Sequence, residues 1–418
     1  MSRNGTLDRP VVMRVLYSFP HSLNKPGIAL TARMQILGLA RLGVRIELFC
    51  TSVGDLQLPP EVAVHTTMTV GPLRIPHRVL GVQRAYSYHD AVVSRWLGRH
   101  RGAIDVVHAW PRGCLRTLTT AAHLDIPALR ESPNPHTGSV IRQSALAVAD
   151  AGVALPGSHS HSDNGAVLSR ERAEYAAATA VLVPSDYAHR EFVAEGFPSD
   201  RLLQHRYGCD LVRYPARMSA RRDAARPFQA VFVGRGDATK GLHVALEAWR
   251  LAALPNAELL VAGSIQPEYG AELAALLALP SVRVLGFVTN VPALLQRADV
   301  LLLPSWTEGS ALVTLEAAAS GCVPLVSAAA GPLGVAGIDF LEHAVGSRSE
   351  LADHLVLLAG DAVRLADLSA RGTAQREFLS WDRAGQTLLR CYEAVTEKPA
   401  APGNRSGAST RRHRPLSG

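Results

Sequence analysis

The strongest chemical signal in the chain is a pair of glutamates, Glu308 and Glu316, in the segment Glu-Gly-Ser-Ala-Leu-Val-Thr-Leu-Glu. The very apolar run before them, Val300 to Leu303, predicts a buried strand, so Glu308 should lie in a loop and Glu316 in the following helix. Ligands of open α/β sheets bind outside the carboxyl ends of the strands, where this loop must lie. A carboxylate can accept hydrogen bonds from both hydroxyls of a ribose, and we predict this role for Glu316. Alternatively, both glutamates are solvated surface residues, although the apolar neighbours of Glu316 leave its helix little polar face.

The residues between the two glutamates offer backbone donors. We predict that Ser310 caps the helix and that the amides of Ser310, Ala311 and Leu312 have no partner within it. Unpaired amides at a helix N-terminus attract anions and suit a diphosphate. Gly309, next to Glu308, is part of the same predicted donor site.

The second chemical signal is the loop from Gly234 to Gly241, which follows a predicted strand and precedes a predicted helix. It is not a Walker A loop, and it is not a complete G-x-G-x-x-G sequence because Thr239 occupies the third glycine position. Its two cations, Arg235 and Lys240, could clamp the charged oxygens of a departing nucleoside diphosphate. Gly234, at the start of the loop, is predicted to contact the same donor phosphate. Alternatively, this is a surface loop with ordinary cations. Lysine is rare in the chain, with three among 43 basic residues, which favours a functional role for Lys240.

Several other kinds of site have no sequence signal. The chain contains no Asp-x-Asp sequence and no His, Cys and Asp cluster at metal-ligand spacing, so we predict a phosphate site without a metal. Neither a G-x-S-x-G nucleophile motif nor the protein-kinase motifs occur.

The elements that must position these residues alternate short β-rich runs with longer helical patterns, which is typical of parallel sheets covered by helices. Two such arrays of similar size are joined by an arginine-rich linker. The 418 residues are 47% hydrophobic and 19% charged, which excludes a disordered chain and a collagen-like fibre. We therefore predict an α/β fold of two Rossmann-like, doubly wound domains facing across a cleft. The predicted segments are a polar leader (1–10), an N-terminal Rossmann-like domain (11–208), the linker (209–227), a C-terminal Rossmann-like domain (228–380), a C-terminal helix (381–398) and a disordered basic tail (399–418).

The chain's charge and cysteines limit its partners and its location. The formal net charge is +7, but it comes from the tail and from seven arginines between Arg201 and Arg226. We predict no nucleic-acid partner, because no basic helix with interleaved aromatics occurs. The linker arginines predict a peripheral contact of the acceptor side with an anionic membrane or a charged glycan. The tail arginines alone are better explained as solubilising. Five scattered cysteines without a C-x-x-C pair predict reduced thiols in a cytoplasmic protein, and no apolar run is long enough to span a membrane.

Taken together, these motifs resemble the retaining nucleotide-sugar glycosyltransferases of the GT-B fold, specifically glycosyltransferase family 4. The Glu308 and Glu316 pair matches the family's E-x7-E motif, and Arg235 and Lys240 match its diphosphate-clamping cations. Further segments also match: Leu302 to Ser305, Ala318 to Gly321, Val323-Pro324, Leu182 to Asp186, Tyr207 to Asp210 and Ser380 to Asp382.

The resemblance implies transfer of a hexose from a nucleotide sugar, most often a UDP- or GDP-sugar, to a glycan, a lipid-linked or a small-molecule acceptor. It implies retention by a same-face mechanism without a resident cofactor, with Glu308 positioning the transferred sugar. It further implies that the N-terminal domain is the acceptor domain and the C-terminal domain is the donor domain. It also implies that Gly27 approaches the donor phosphate and that His136 is the active-site histidine. This chain has one glycine where the family often has two, and His136 comes later than the family's histidine, so His136 could instead be only a turn residue. Other GT-B enzymes, of the epimerase or phosphorylase type, and a non-catalytic partner subunit stay open as alternatives.

Overall fold

The computed structural model describes residues 12–70, 73–74, 81–153, 165–219 and 226–397. The predicted leader and tail, and Arg221 and Arg222 of the linker, lie outside these residues. The described elements form two parallel sheets, of seven and six strands, and a two-stranded antiparallel ribbon.

The first sheet has the strand order β3-β2-β1-β6-β7-β8-β9, and all its neighbouring strands are parallel. Its strands and the ribbon β4–β5 are β1 Arg14–Ser22, β2 Arg45–Ser52, β3 Val62–Thr66, β4 Thr69–Val70, β5 Leu73–Arg74, β6 Val106–Ala109, β7 Ala128–Glu131, β8 Ala180–Val183 and β9 Leu202–Gln204. The helices of this half are α1 Ile28–Arg41, α2 Val82–Arg99, α3 Leu115–His123, α4 Thr137–Asp150, α5 Gly165–Ala177 and α6 Asp186–Ala194, with a 3-10 turn at Ser199–Arg201.

The second sheet has the strand order β12-β11-β10-β13-β14-β15 and is also parallel throughout. Its strands are β10 Phe228–Val233, β11 Ala257–Ala262, β12 Val282–Gly286, β13 Val300–Leu303, β14 Val323–Ser327 and β15 Leu341–His343. The helices that follow in the chain are α7 Leu242–Ala252, α8 Pro267–Glu272, α9 Ala274–Leu277, α10 Val291–Arg297, α11 Leu312–Ser320, α12 Arg348–Gly360, α13 Ala362–Ala374 and α14 Trp381–Thr396, with 3-10 turns at Ala238–Lys240 and Arg376–Leu379.

In both sheets the strand order reverses beside the first strand, as in a Rossmann fold. The predicted fold class is therefore confirmed. In the second sheet the reversal lies between β10 and β13, and the two predicted chemical signals are the loops that follow these two strands. A ligand is expected in the crevice at this point.

The last helix, α14, returns from the second sheet to the first. Leu388, Cys391 and Tyr392 on α14 are buried in the same core as the strands β1 and β2. Gly38 on α1 and Gly385 on α14 allow the two helix backbones to touch, because a Cβ on Gly38 would lie 3.2 Å from the Gly385 Cα. The chain thus crosses between the domains twice, once through the linker and once before α14.

The structure gives internal roles to several arginines of the basic stretch. Arg201 donates to the carbonyls of Tyr175 and Ala178 at the end of α5, and Arg217 donates to the Ala298 carbonyl. Arg226 forms an ion pair with the buried carboxylate of Asp299. These three side chains hold the fold together, so the linker offers less charge to a partner than its composition suggests.

All five cysteines are free and buried. Within the described ranges, no helix combines the length and the apolar character needed to cross a membrane.

Candidate active site

The loop after β10 is shaped around the buried side chain of Asp237. Its Oδ1 accepts hydrogen bonds from the Lys240 backbone N–H, at 3.0 Å, and from the Thr239 hydroxyl, at 2.7 Å. The bond from the Lys240 N–H caps the 3-10 turn. Its Oδ2 pairs with the Arg235 guanidinium. The turn ends at Gly241, which has φ 71° and whose Cβ, if present, would lie 2.1 Å from the Pro304 carbonyl oxygen. A glycine is therefore required to bring this loop against the loop after β13.

The two predicted signals meet in an ion pair. The Lys240 ammonium contacts the Glu308 Oε1, which also accepts a hydrogen bond from the Ser305 hydroxyl at 3.0 Å. Both partners are only partly buried, with side-chain exposures of 28% and 14%. The pair lies at the crevice where the strand order reverses. A diphosphate that entered this crevice could replace Glu308 as the partner of the Lys240 ammonium.

Gly309 lies where the loop of the second domain touches the first domain. A Cβ at this position would lie 1.9 Å from the Pro133 carbonyl oxygen, and the Ser185 hydroxyl donates to the Gly309 carbonyl. These contacts fix the position of Glu308 relative to the first domain. Because Pro133 and Ser185 lie close behind the carboxyl ends of β7 and β8, this contact forms part of the floor of the cleft.

The predicted helix cap at Ser310 is wrong. The helix α11 begins at Leu312, and its N-cap is Ala311, whose backbone is extended at ψ 104°. The Ala311 amide donates to the Ala330 carbonyl at 3.3 Å, which keeps the chain extended for one residue more than predicted and occupies one of the three predicted anion donors. The Leu312 amide is at the first helical position, where an N–H has no partner within the helix.

Glu316 is a largely buried carboxyl on α11. Burial raises its pKa to about 6, against the hydrogen bond from the Tyr214 hydroxyl and the charge of Arg213, which both act to lower it. This environment excludes the alternative of a solvated helix residue. Tyr214 was not predicted from the sequence, although it lies only four residues beyond the matched segment Tyr207 to Asp210.

His136 is the N-cap of α4. Its Nδ1 accepts a hydrogen bond from the Gly138 amide at 3.2 Å, and its ring packs against Tyr175 and Phe192. Burial lowers its pKa, although the neighbouring carboxylate of Glu195 acts to raise it. The ring is only 4% exposed, so these contacts fit the alternative of a turn and capping residue better than an active-site role.

The first strand-to-helix loop of each domain contains one predicted glycine. Gly27 ends the loop after β1, and Gly234 begins the loop after β10. Gly27 is the N-cap of α1 with φ 77°, and no atom would lie within 4 Å of an added Cβ. Gly234 follows β10, and its carbonyl oxygen would lie 1.8 Å from a Cβ on Gly263. No contact of either glycine tests its predicted role at the donor phosphate, so these roles stay predictions.

A buried polar network in the first domain was not predicted. Glu131, at the end of β7, has an Oε2 3.1 Å from the His108 Nε2 and an Oε1 that accepts from the Tyr207 hydroxyl at 2.6 Å. Its burial acts to raise the pKa, but the contacts with His108, His205 and Tyr207 lower it below the usual value. A charged carboxylate held in this way fixes the start of the loop that carries Pro133.

The two domains also meet at the other end of α4. Ala147 on this helix is buried in the core of the second domain. Asp150 accepts hydrogen bonds from both terminal nitrogens of Arg348, at 3.0 and 2.6 Å, and its Oδ2 lies 2.8 Å from the His243 Nε2. His243 is on α7, directly after the Lys240 loop, so α4 connects the acceptor side of the cleft to the cation loop.

No group of three or more His, Cys, Asp or Glu side chains within the described ranges is arranged to hold a metal ion. The predicted phosphate partners, Arg235 and Lys240, are paired in this structure with the carboxylates of Asp237 and Glu308, respectively.

Comparison with known proteins identifies the second domain. Residues 227–361 match the family model described as "Glycosyl transferases group 1". The D-inositol 3-phosphate glycosyltransferase of Mycobacterium leprae is 26% identical over 88% of this chain and 90% of its own length. The enzyme of the same name from Mycobacterium bovis is 27% identical over 96% of this chain and 86% of its own length.

Solved structures show the same fold. The sucrose-phosphate synthase from Thermosynechococcus elongatus superimposes with a TM-score of 0.67 over 92% of this chain and 99% of its own, at 18% identity. HepE from Anabaena, solved in complex with UDP-glucose, superimposes with a TM-score of 0.61 over 91% of this chain and 100% of its own, at 16% identity. The matched domain, the relatives and the two-sheet architecture agree on one conclusion. The chain is a glycosyltransferase of the GT-B fold, with a Glycosyl transferases group 1 domain at residues 227–361.

Proposed function

We propose that the protein transfers a hexose from a nucleoside-diphosphate sugar to an acceptor hydroxyl with retention at the anomeric carbon, as a member of glycosyltransferase family 4. The observation that carries this proposal is the ion pair of Lys240 with Glu308, which joins the loop of Arg235 and Lys240 to the loop after β13 at the reversal of the strand order in the second sheet. Two cations and one carboxylate there are suited to a diphosphate and to the sugar attached to it.

In this proposal the chemistry is mainly electrostatic. Negative charge grows on the diphosphate as the bond to the sugar breaks, and cations already aimed at this position stabilise the transition state. Glu308 exchanges its contact with Lys240 for hydroxyls of the transferred sugar. The acceptor hydroxyl attacks from the face that the diphosphate leaves, and a diphosphate oxygen receives the hydroxyl proton.

The proposed donor is a UDP- or GDP-sugar, and no resident cofactor takes part. HepE, which shares the fold, was solved in complex with UDP-glucose, which supports the uridine nucleotide. The relatives named D-inositol 3-phosphate glycosyltransferase support a small phosphorylated polyol as the acceptor. The free, buried cysteines support a reducing, cytoplasmic compartment. Peripheral membrane contact of the basic stretch has less support, because Arg201, Arg217 and Arg226 have internal partners.

The experiment that tests the proposal is a thermal-shift panel of UDP, GDP, ADP and their sugars, followed by transfer assays with the best donor. A ligand at 100 times its dissociation constant adds about 2.7 kcal/mol of stability, which such a panel detects readily. The anomeric configuration of the product, read by NMR, then distinguishes retention from inversion. Donor binding without any transfer would favour a non-catalytic subunit.

Replacing Glu316 by glutamine should weaken the binding of the nucleoside diphosphate. Without the carboxylate, the two ribose hydroxyls are no longer both paired in the buried site. An imperfectly paired buried polar group costs about 1–3 kcal/mol of binding free energy. Calorimetric titration measures the loss, and Glu272→Gln, an exposed acid of the same domain, is the matched control. Equal affinity in the two variants would disprove the ribose assignment.

The same interaction should depend on pH. Because only the ionised carboxylate accepts from both hydroxyls, and the pKa of Glu316 is raised to about 6, affinity should be complete above this value and fall as the pH drops through it. The Glu316→Gln variant should lose this component of the pH profile. A wild-type profile that coincides in shape with that of the variant would contradict the prediction.

Activity should survive EDTA. Arg235 and Lys240 supply the positive charge that a metal would otherwise bring to the diphosphate. Initial rates measured with and without millimolar chelator should agree. A loss of activity that manganese or magnesium restores would contradict the metal-independent mechanism.

A further inference from the structure

A cavity of about 300 Å³ lies between the domains, at the end of the cleft nearest to the two crossings of the chain. It is lined by Arg206, which follows β9, and by Arg383 and Arg390 on α14. We call it the arginine cavity. The volume is within the range of small-molecule sites, at the lower end of roughly 300–1,000 Å³.

The charge of the arginine cavity is all of one sign, because none of its lining residues is acidic. The Arg206 Nη2 lies 3.6 Å from the Asp186 Oδ2, and the Arg383 Nη1 donates to the Gln386 side chain at 2.9 Å. A guanidinium has five N–H donors, so these contacts leave most of the donors of both arginines available. Like charges gathered in one cavity repel each other, and a bound anion would remove this cost.

The arginine cavity lies close to the loop between Glu308 and Glu316. A narrow neighbouring pocket shares Arg206, Tyr207 and Leu333 with it and is lined by Ser310, in this loop. Arg206 and Tyr207 thus lie between the arginine cavity and the predicted donor loop. Phe378 also lines the arginine cavity, and the Arg383 guanidinium lies over its ring, 6.0 Å from the ring centroid.

We propose that the arginine cavity binds the phosphate group of a phosphorylated acceptor, an inference that rests on the proposed function. Arginine pairs with phosphate through two parallel N–H···O bonds, which orient the group as well as hold it. The cations at the donor diphosphate, Arg235 and Lys240, belong to a different loop and domain edge. The protein would thus use separate sets of cations for the donor and for the acceptor.

The test is a calorimetric titration of inorganic phosphate, glucose 6-phosphate and glucose, with the donor site filled by the nucleoside diphosphate that gives the largest thermal shift. The double variant Arg383→Gln/Arg390→Gln should bind both phosphates at least tenfold more weakly than the wild type. The control Arg250→Gln/Arg297→Gln removes two exposed arginines of the second domain and should bind them normally. Uncharged glucose should not distinguish the two double variants.

A second arm distinguishes the source of the phosphate. Vesicles containing phosphatidic acid, compared with phosphatidylcholine vesicles, report a lipid-borne group, whereas glucose 6-phosphate reports a soluble one. Loss of either kind of binding in Arg383→Gln/Arg390→Gln supports the site. Unchanged binding in this variant, or no binding of any phosphate probe to a wild type that binds the nucleoside diphosphate, would overturn the inference while leaving the proposed function intact. Failure of every nucleoside diphosphate to bind would instead count against the proposed function, and the phosphate titration would still report on the cavity.

Discussion

Replacing Arg235 or Lys240 by alanine should lower kcat by about 100- to 1,000-fold, the typical effect of removing one preorganised donor from a developing negative charge. Both cations lie in the loop after β10, where Asp237 holds the turn and Glu308 holds the ammonium before the donor enters. Their charge is most valuable when the diphosphate departs, so turnover should fall more than donor affinity.

Folding should be much less affected, because the Lys240 and Glu308 side chains are partly exposed and such pairs contribute little to stability. Melting temperatures measured beside the kinetics separate the two effects. Arg250→Ala, which removes an exposed cation on α7, is the matched control and should keep full turnover. Near-normal kcat in both Arg235→Ala and Lys240→Ala would place the diphosphate elsewhere.

Replacing Gly309 by alanine should reduce kcat/KM by about 100-fold, since a displacement of about 1 Å at a reacting centre can cost this much. The added Cβ would lie 1.9 Å from the Pro133 carbonyl oxygen, and both partners are backbone that cannot rotate away. The loop must therefore move away from the first domain and take Glu308 with it. Steady-state kinetics measure the loss, and small-angle scattering reports any opening of the cleft.

Gly98→Ala is the matched control for this substitution. Gly98 lies within α2, and an added Cβ there would meet no atom within 4 Å. Alanine is favoured over glycine inside a helix, so this variant should be as active as the wild type and slightly more stable. If Gly309→Ala also kept full activity, the contact with Pro133 would not position Glu308.

The sequence predicted those features that local patterns encode. Apolar strands such as Val300 to Leu303, each followed by a turn and a helical pattern, were sufficient for the doubly wound fold. Because ligands of open α/β sheets bind outside the carboxyl ends of the strands, the loop that carries Glu308 could be placed at such a site from the sequence. That it shares a crevice with the Arg235 loop became visible only in the strand order.

Features that depend on contacts distant in the sequence were not predicted. Ser310 has the right residue type for a helix cap, but the hydrogen bond from Ala311 to Ala330 moves the helix start beyond it. The hydroxyl of Tyr214 against Glu316, and the ion pair of Asp150 with Arg348, join residues about 100 to 200 positions apart, for which no local pattern exists. The capping contact of His136 with Gly138 was likewise visible only in the structure, and its role as the active-site histidine stays a prediction.

The most direct test of the central claim is a crystal structure of the protein with the nucleoside diphosphate that the thermal-shift panel selects. Our account predicts that the ribose hydroxyls lie within hydrogen-bond distance of the Glu316 carboxylate. It also predicts that the diphosphate contacts Arg235 and Lys240, with Glu308 released from the Lys240 ammonium. A nucleotide bound outside the crevice between β10 and β13, or one whose diphosphate touches neither cation, would contradict it.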